Sequence, residues 1–215
     1  MIELYQKHPY LISYDRKQFD FRSIIQEILE ESNLEELHTR INYTLFERSQ
    51  DQSTAWHKKY YERFELFDRL YKKFIADHVK PLFGVEKLVC QRIPTFRVHL
   101  VGNIAVGEWH KDRAYNHGST EVNLWMPFTD TFGNNTIWTE SEEDKGDYEP
   151  YAVKQGEILV FDGANLNHGN KINDTDTTRV SVDFRVVDFN KFRPSEKGSI
   201  NNNTRFDIGG YFDVV

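Results

Sequence analysis

At about Glu86 the hydrophobic period of this chain changes from 3.6 residues towards 2, and that switch limits the folds open to it. Before it, Asp20 can cap a helix in which Phe21, Ile24, Ile25, Ile28 and Leu29 form one apolar stripe, with Glu27, Glu30 and Glu31 between or after them. Ser53 or Thr54 can start a longer helix carrying Trp56, Tyr60, Phe64, Phe67, Tyr71, Phe74 and Ile75, which Pro81 and Gly84 close. After it, the segments LVCQRI, TFRVHLVG, AVGEWH, TEVNLWMPF, NTIWTE, AVKQGEILVF and TTRVSVDFRVV are short and rich in β-branched or aromatic residues. Gly, Asn, Asp and Pro clusters separate them. Such a run of strands, with no helical pattern between, predicts an antiparallel sandwich or barrel. Helices first and strands afterwards predicts a mostly β chain of α+β type, with the helices packed outside.

The 215 residues suit one domain, with 1–85 as helical scaffold, 86–190 as β core and 191–215 as a C-terminal extension. EEDKGDYEP reads as a loop over one rim, EKGSINNNTRF as irregular, and the final DIGGYFDVV as folding back over the core. A net charge of −7 argues against a nucleic-acid partner gripped through its phosphates. One cysteine, Cys90, excludes a disulfide framework and a Cys-rich zinc module. No apolar run approaches the ~18 residues of a membrane span, and the first residues lack a signal-peptide layout. A cytoplasmic protein without a membrane partner is the expectation.

The chemistry centres on Trp109-His110-Lys111-Asp112. On a strand, residues two apart share a face, so His110 and Asp112 can ligate one metal. His168 lies in GANLNHGN, just after the strand-like GEILVF. Two histidines and one carboxylate form the donor set of non-heme Fe(II) oxygenases, leaving positions for an organic co-substrate and O2. Eleven residues beyond His168, in TTRVSVDFR, alternation puts Arg179, Ser181, Asp183 and Arg185 on one face. A buried Arg179 suits a bidentate grip on a carboxylate, and Ser181 can add a hydrogen bond. A metal triad beside Arg–x–Ser meets the needs of 2-oxoglutarate. Each piece alone is weak, since an HxD pattern arises by chance and a histidine in a β protein is usually core or surface. The conjunction carries the reading. The alternative is a non-redox metal-binding cupin, an isomerase or sugar-binding module, which would ignore 2-oxoglutarate.

WHKD, the LNHG histidine and TTRVSVDFR resemble the iron- and 2-oxoglutarate-dependent dioxygenases of the double-stranded β-helix (jelly-roll, cupin-like) fold. Within them, EVNLWMPFTDTFGNNTIWTES is similar to the small streptomycin-biosynthesis-type and phytanoyl-CoA-dioxygenase-like members. The resemblance covers roughly Leu88 to Val187. It implies His110, Asp112 and His168 as iron ligands, Arg179 as the 2-oxoglutarate clamp, and hydroxylation with release of succinate and CO2. Halogenating relatives carry a small residue at the carboxylate position, where this chain has Asp112. Further co-substrate contacts come from early core strands in this family, which makes Arg97, His99, Asn123 and Trp125 candidates. Trp138 and Glu140 fall in a segment resembling the substrate-side strand, and Tyr115 with His117 can line the mouth. The expected substrate is a small polar molecule such as an aminosugar, sugar or amino-acid derivative. The acidic stretch from Glu140 to Asp147 hints at a cationic or hydroxyl-rich one.

Overall fold

The computed structural model describes residues 3–42, 50–105, 108–199 and 204–215. Helix α1 (Phe21–Leu29) begins where the sequence predicts. The Asp20 carboxylate accepts from the Ser23 N–H at 3.1 Å and the Ser23 hydroxyl at 2.7 Å. The long aromatic stripe folds as two helices instead of one, α2 (Ala55–Glu62) and α3 (Phe64–Phe74), broken at Arg63. The Arg63 guanidinium turns back to the Glu27 and Ile28 carbonyls of α1, tying the break to the neighbouring helix. A π-helical turn (Ile75–Val79) then leads into α4 (Lys80–Phe83). Pro81 does not stop the helix as expected; it sits in the first turn of α4, where a missing N–H costs little, and Gly84 at φ 64° makes the stop. The N-terminal part also holds a strand the helical reading omitted, β1 (Tyr10–Ser13).

The core strands are β2 (Leu88–Gln91), β3 (Thr95–His99), β4 (Val122–Pro127), β5 (Trp138–Thr139), β6 (Glu149–Pro150), β7 (Glu157–Phe161), β8 (His168–Gly169) and β9 (Arg179–Asp188). Beyond them come β10 (Ser195–Gly198), β11 (Arg205–Phe206) and β12 (Phe212–Val214). The main sheet runs β1-β7-β4-β9-β2-β12, with β3 also on β9. Strand β9 is its spine: Arg179–Asp183 pairs with β3, Val186–Asp188 with β2, and the opposite edge pairs with β4. A short sheet, β6-β5-β8, completes the double-stranded β-helix. The helices pack outside, as expected.

Alternation along β9 separates core from site. Val180, Val182, Phe184 and Val186 point into the helix-covered core with Phe21, Phe67, Tyr71 and Phe74. Tyr60 stacks on Phe96 at 4.5 Å and Tyr71 meets Phe184 edge-on at 5.2 Å. Arg179, Ser181, Asp183 and Arg185, at the intervening positions, are equally buried. A smaller cluster of Trp125, Ile137, Val153, Leu159, Phe161 and Leu166 fills one end of the space between the sheets.

The AVGEWH segment is not the expected strand among the described residues: His110 makes only an isolated bridge, to His168, and Val106 and Gly107 lie outside the described residues. EKGSINNNTRF contributes to the β10–β11 ribbon instead of being irregular throughout, with Ile200–Asn203 outside the described residues. The C-terminus folds back as expected, β12 pairing with β2 so that Asp213 lies opposite Cys90. Among the described residues no helix is long and apolar enough to cross a membrane.

Candidate metal centre

His110 and His168 are fixed side by side by reciprocal backbone bonds, N–H to O, of 2.9 and 3.0 Å. Each ring is then aimed by a carbonyl two residues earlier in its own chain segment. His168 Nδ1 meets Leu166 O at 3.0 Å, and His110 Nδ1 meets Glu108 O. A carbonyl only accepts, so Nδ1 carries the proton in both rings and both Nε2 lone pairs are left for a metal. Burial pushes the His168 imidazole down to about 4, which keeps it neutral at pH 7.

Asp112 arrives differently from the strand alternation expected. It opens a 3-10 turn (Asp112–Tyr115), with its N–H bonded to Gly163 O at 2.9 Å. Its Oδ1 lies 3.2 Å from His110 Nε2 and 3.7 Å from His168 Nε2. Ligands about 2.1 Å from a metal and at right angles stand about 3 Å apart, which the 3.2 Å pair matches and the 3.7 Å pair approaches, and all three ligand atoms lie within 4.8 Å of one another. Oδ2 is occupied: it accepts from Arg185 Nε at 3.0 Å, Arg185 Nη2 at 2.7 Å and Asn123 Nδ2 at 2.8 Å. Burial alone would raise the Asp112 carboxyl, but the Arg185 charge and the neighbouring His110, His168 and His117 rings together outweigh it and hold it well below the usual carboxylate range. Among the described residues this is the group of His, Cys, Asp and Glu side chains disposed to hold a metal.

A small cavity extends from these atoms along β9, walled by Arg97, Asn123, Trp125, Phe161, Arg179 and Asp183 among others. Arg179 is 1% exposed. Its Nη1 donates to Asn135 O at 3.0 Å and Asn170 Oδ1 at 2.8 Å, and the Trp125 ring lies 5.3 Å from Cζ. Burial lowers its pKa to about 9, so it stays cationic at neutral pH. Arg179 Nε and Ser181 Oγ are buried without a hydrogen-bond partner. Two orphaned donors on one face are the complement of a carboxylate. Asn123 Oδ1 is likewise unpartnered. Arg97, opposite Ser181 in the β3–β9 register, donates from Nε to Asp183 Oδ1 at 2.9 Å. His99 is turned to Asn103 O at 2.8 Å, and burial pushes its imidazole down to about 3.

The remaining candidates divide. Tyr115 stands edge-on to the His110 ring at 4.9 Å, beside the triad. His117 is instead drawn to Glu121 Oε2 at 2.6 Å and packs on Phe206, away from the cavity wall. Trp138 lies under Lys171 Nζ, 3.3 Å from its ring centre, and does not line the cavity. Glu140, 1% exposed, accepts from the Asn167 N–H at 2.6 Å and the Gly146 N–H at 3.1 Å, which makes it a brace for the loop before His168. The acidic stretch is largely neutralised within the protein: Glu143 and Asp144 pair with Lys111, Glu143 with Arg113, and Glu142 and Asp147 with Lys145. Its hint of a cationic ligand therefore loses its basis. Sequence reasoning placed Arg185 on the right face without its partner, and passed over Asn135, Asn170 and Gly163. A Cβ on Gly163 would meet Asn123 Nδ2 at 2.5 Å, a close approach of which the local sequence FDGAN signals only a turn.

No family model matches the chain. The streptomycin biosynthesis protein StrG of Streptomyces griseus is 39% identical over 206 residues, 95% of this chain and 97% of that one. SnoK, a non-heme alpha-ketoglutarate-dependent carbocyclase from nogalamycin biosynthesis, superimposes with a TM-score of 0.60 at 14% identity, over 99% of this chain and 94% of its own. HygX from Streptomyces hygroscopicus, with nickel and 2-oxoglutarate bound, gives a TM-score of 0.50 at 12% identity, over 85% of this chain and 83% of its own. These structural likenesses speak for the shared fold.

Proposed function

The chain belongs to the family of the streptomycin biosynthesis protein StrG, and from that premise we propose that it is a non-heme Fe(II)- and 2-oxoglutarate-dependent oxygenase. It hydroxylates a small polar molecule of the aminosugar, sugar or amino-acid type, releasing succinate and CO2. The observation that carries this reading is the juxtaposition of two Nε2 atoms and one Oδ1 at metal-ligand spacing with a buried Arg179 whose Nε lacks an acceptor. The substrate class is supported by the StrG likeness and by a cavity wall rich in charged and amide groups.

His110, Asp112 and His168 would hold the iron, and Arg179 with Ser181 would take the distal carboxylate of 2-oxoglutarate. Together, Fe(II) and 2-oxoglutarate supply oxidation of a C–H bond by O2, which no side chain here can perform. The protein supplies position. The Leu166 and Glu108 carbonyls fix the histidine tautomers, so no proton has to leave Nε2 before a metal binds. Asn135 and Asn170 hold the Arg179 guanidinium in place, and Trp125 covers it, so its charge acts where water cannot screen it. Arg97 and Asn123 complete the wall on either side of β9.

Titration calorimetry of 2-oxoglutarate into Mn(II)-loaded protein tests the reading. Arg179→Ala strips a buried carboxylate of its counterion, a loss of about 3–5 kcal/mol, so affinity should fall by more than about 100-fold. A non-redox cupin would take up Mn(II) and give no heat with 2-oxoglutarate in either protein.

A further inference from the structure

An arginine usually meets a carboxylate fork to fork, two nitrogens on two oxygens. Arg185 does not. Both Nε, at 3.0 Å, and Nη2, at 2.7 Å, converge on Oδ2 of Asp112, and Asn123 Nδ2 adds a third donor to the same atom at 2.8 Å. Three N–H groups saturate the lone pairs of one carboxylate oxygen. Oδ1 alone is left facing the two Nε2 atoms.

The guanidinium is held from several sides. Its Nη1 donates to Gln91 Oε1 at 3.2 Å and to the Tyr211 hydroxyl at 3.4 Å, with Asp183 Oδ2 at 3.5 Å. Glu121 Oε2 stands 4.0 Å from Nε. Gln91 is itself fixed, its carbonyl accepting from the Tyr71 hydroxyl at 2.7 Å and its amide donating to Ile93 O at 2.7 Å. Tyr211, just before β12, thus reaches the guanidinium from the C-terminal segment. An ion pair formed only to neutralise a charge would not need this scaffolding from β2, β9 and the residues that precede β4 and β12.

We propose that Arg185 is a positioning residue that makes Asp112 a one-oxygen metal ligand. Two histidine nitrogens and one carboxylate oxygen fill three of six octahedral positions. A chelating keto acid would take two of the others, and the last would remain for O2. If Asp112 also gave Oδ2 to the ion, that last position would be lost. The inference rests on the oxygenase reading for its purpose, but its geometry concerns the metal alone.

The test counts exchangeable waters on bound Mn(II), by water-proton relaxation, in the absence of 2-oxoglutarate. Wild-type protein should hold about three waters. Arg185→Gln removes two of the three donors from Oδ2 and leaves only Asn123 on it, so the ion gains a carboxylate oxygen; at saturating Mn(II), about one-third of the relaxation enhancement should be lost. Arg185→Lys keeps the charge and one donor and should restore the third water. An Arg185→Gln protein that binds Mn(II) with an unchanged water count overturns the proposal. So does loss of Mn(II) binding together with the cooperative melting transition in both variants, which would make Arg185 a scaffold residue. If the water counts behave as expected but 2-oxoglutarate never binds, the positioning role stands and the oxygenase reading fails.

Discussion

Gly163→Ala tests whether the partners of Asp112 matter to the metal. The new Cβ would lie 2.5 Å from Asn123 Nδ2, 2.6 Å from its Cγ and 2.9 Å from its Oδ1. Ordinary contact needs about 3.5 Å or more, so the amide must retreat by about 1 Å. Asn123 has little room to do so, because β4 pairs it with Phe161 on one side and Arg185 on the other. A retreat of that size stretches the 2.8 Å bond to Asp112 Oδ2 beyond hydrogen-bonding distance. A hydrogen bond to a charged acceptor contributes about 1.5–3 kcal/mol, which corresponds to about 10- to 150-fold in metal affinity. The assay is competition for Co(II) against a chelator, with melting curves alongside. At a Co(II) concentration of about 100 times the wild-type Kd, the metal stabilises wild type by about 2.7 kcal/mol. A variant binding about 30-fold more weakly would gain only about 0.9 kcal/mol. Unchanged Co(II) affinity in a folded Gly163→Ala protein would refute the claim that the Asn123 bond supports the ligand.

Two further outcomes are expected. Burial raises the Asp51 carboxyl to about 6, so the folded state binds more protons than the unfolded chain between about pH 4 and pH 6, and stability falls as pH rises through that window. Asp51→Asn should therefore be more stable than wild type at pH 8, by on the order of 2 kcal/mol, with the gap closing by pH 4 in denaturant melts; a gap independent of pH would contradict the assignment. Phe67 is fully buried and touches the rings of Phe21, Tyr60 and Phe128. Phe67→Ala should cost about 3–5 kcal/mol by urea titration, and a loss below about 1 kcal/mol would mean the helices are not cemented to the sheet through this ring.

What the sequence shows and hides follows from the range over which each signal acts. The change of period near Glu86 and the alternation on β9 are local, and both the helix-covered face and the polar row Arg179, Ser181, Asp183, Arg185 follow from them. The break at Arg63 is not local: a continuous aromatic stripe gives no sign of it, and the break is tied down by carbonyls at the end of α1. His110 and Asp112 do come together, but through a bridge to His168 and a 3-10 turn, neither of which a two-residue repeat encodes. Glu140 shows the opposite failure. Its spacing from Trp138 matched a substrate-side strand, yet β5 ends at Thr139 and backbone N–H groups claim the carboxylate. Arg185 was visible as a residue on the correct face; its role is defined by Asp112, 73 positions away in the chain.

The central claim is that one cavity holds both a metal and a keto acid. It is tested most directly by adding Fe(II) and 2-oxoglutarate to metal-free protein under anaerobic conditions and recording the visible spectrum. The expected result is the metal-to-ligand charge-transfer band of a bidentate keto-acid chelate, present in wild type and absent in His168→Ala. Iron uptake with no band on adding 2-oxoglutarate would contradict it, and would leave Arg179 with a purely structural role.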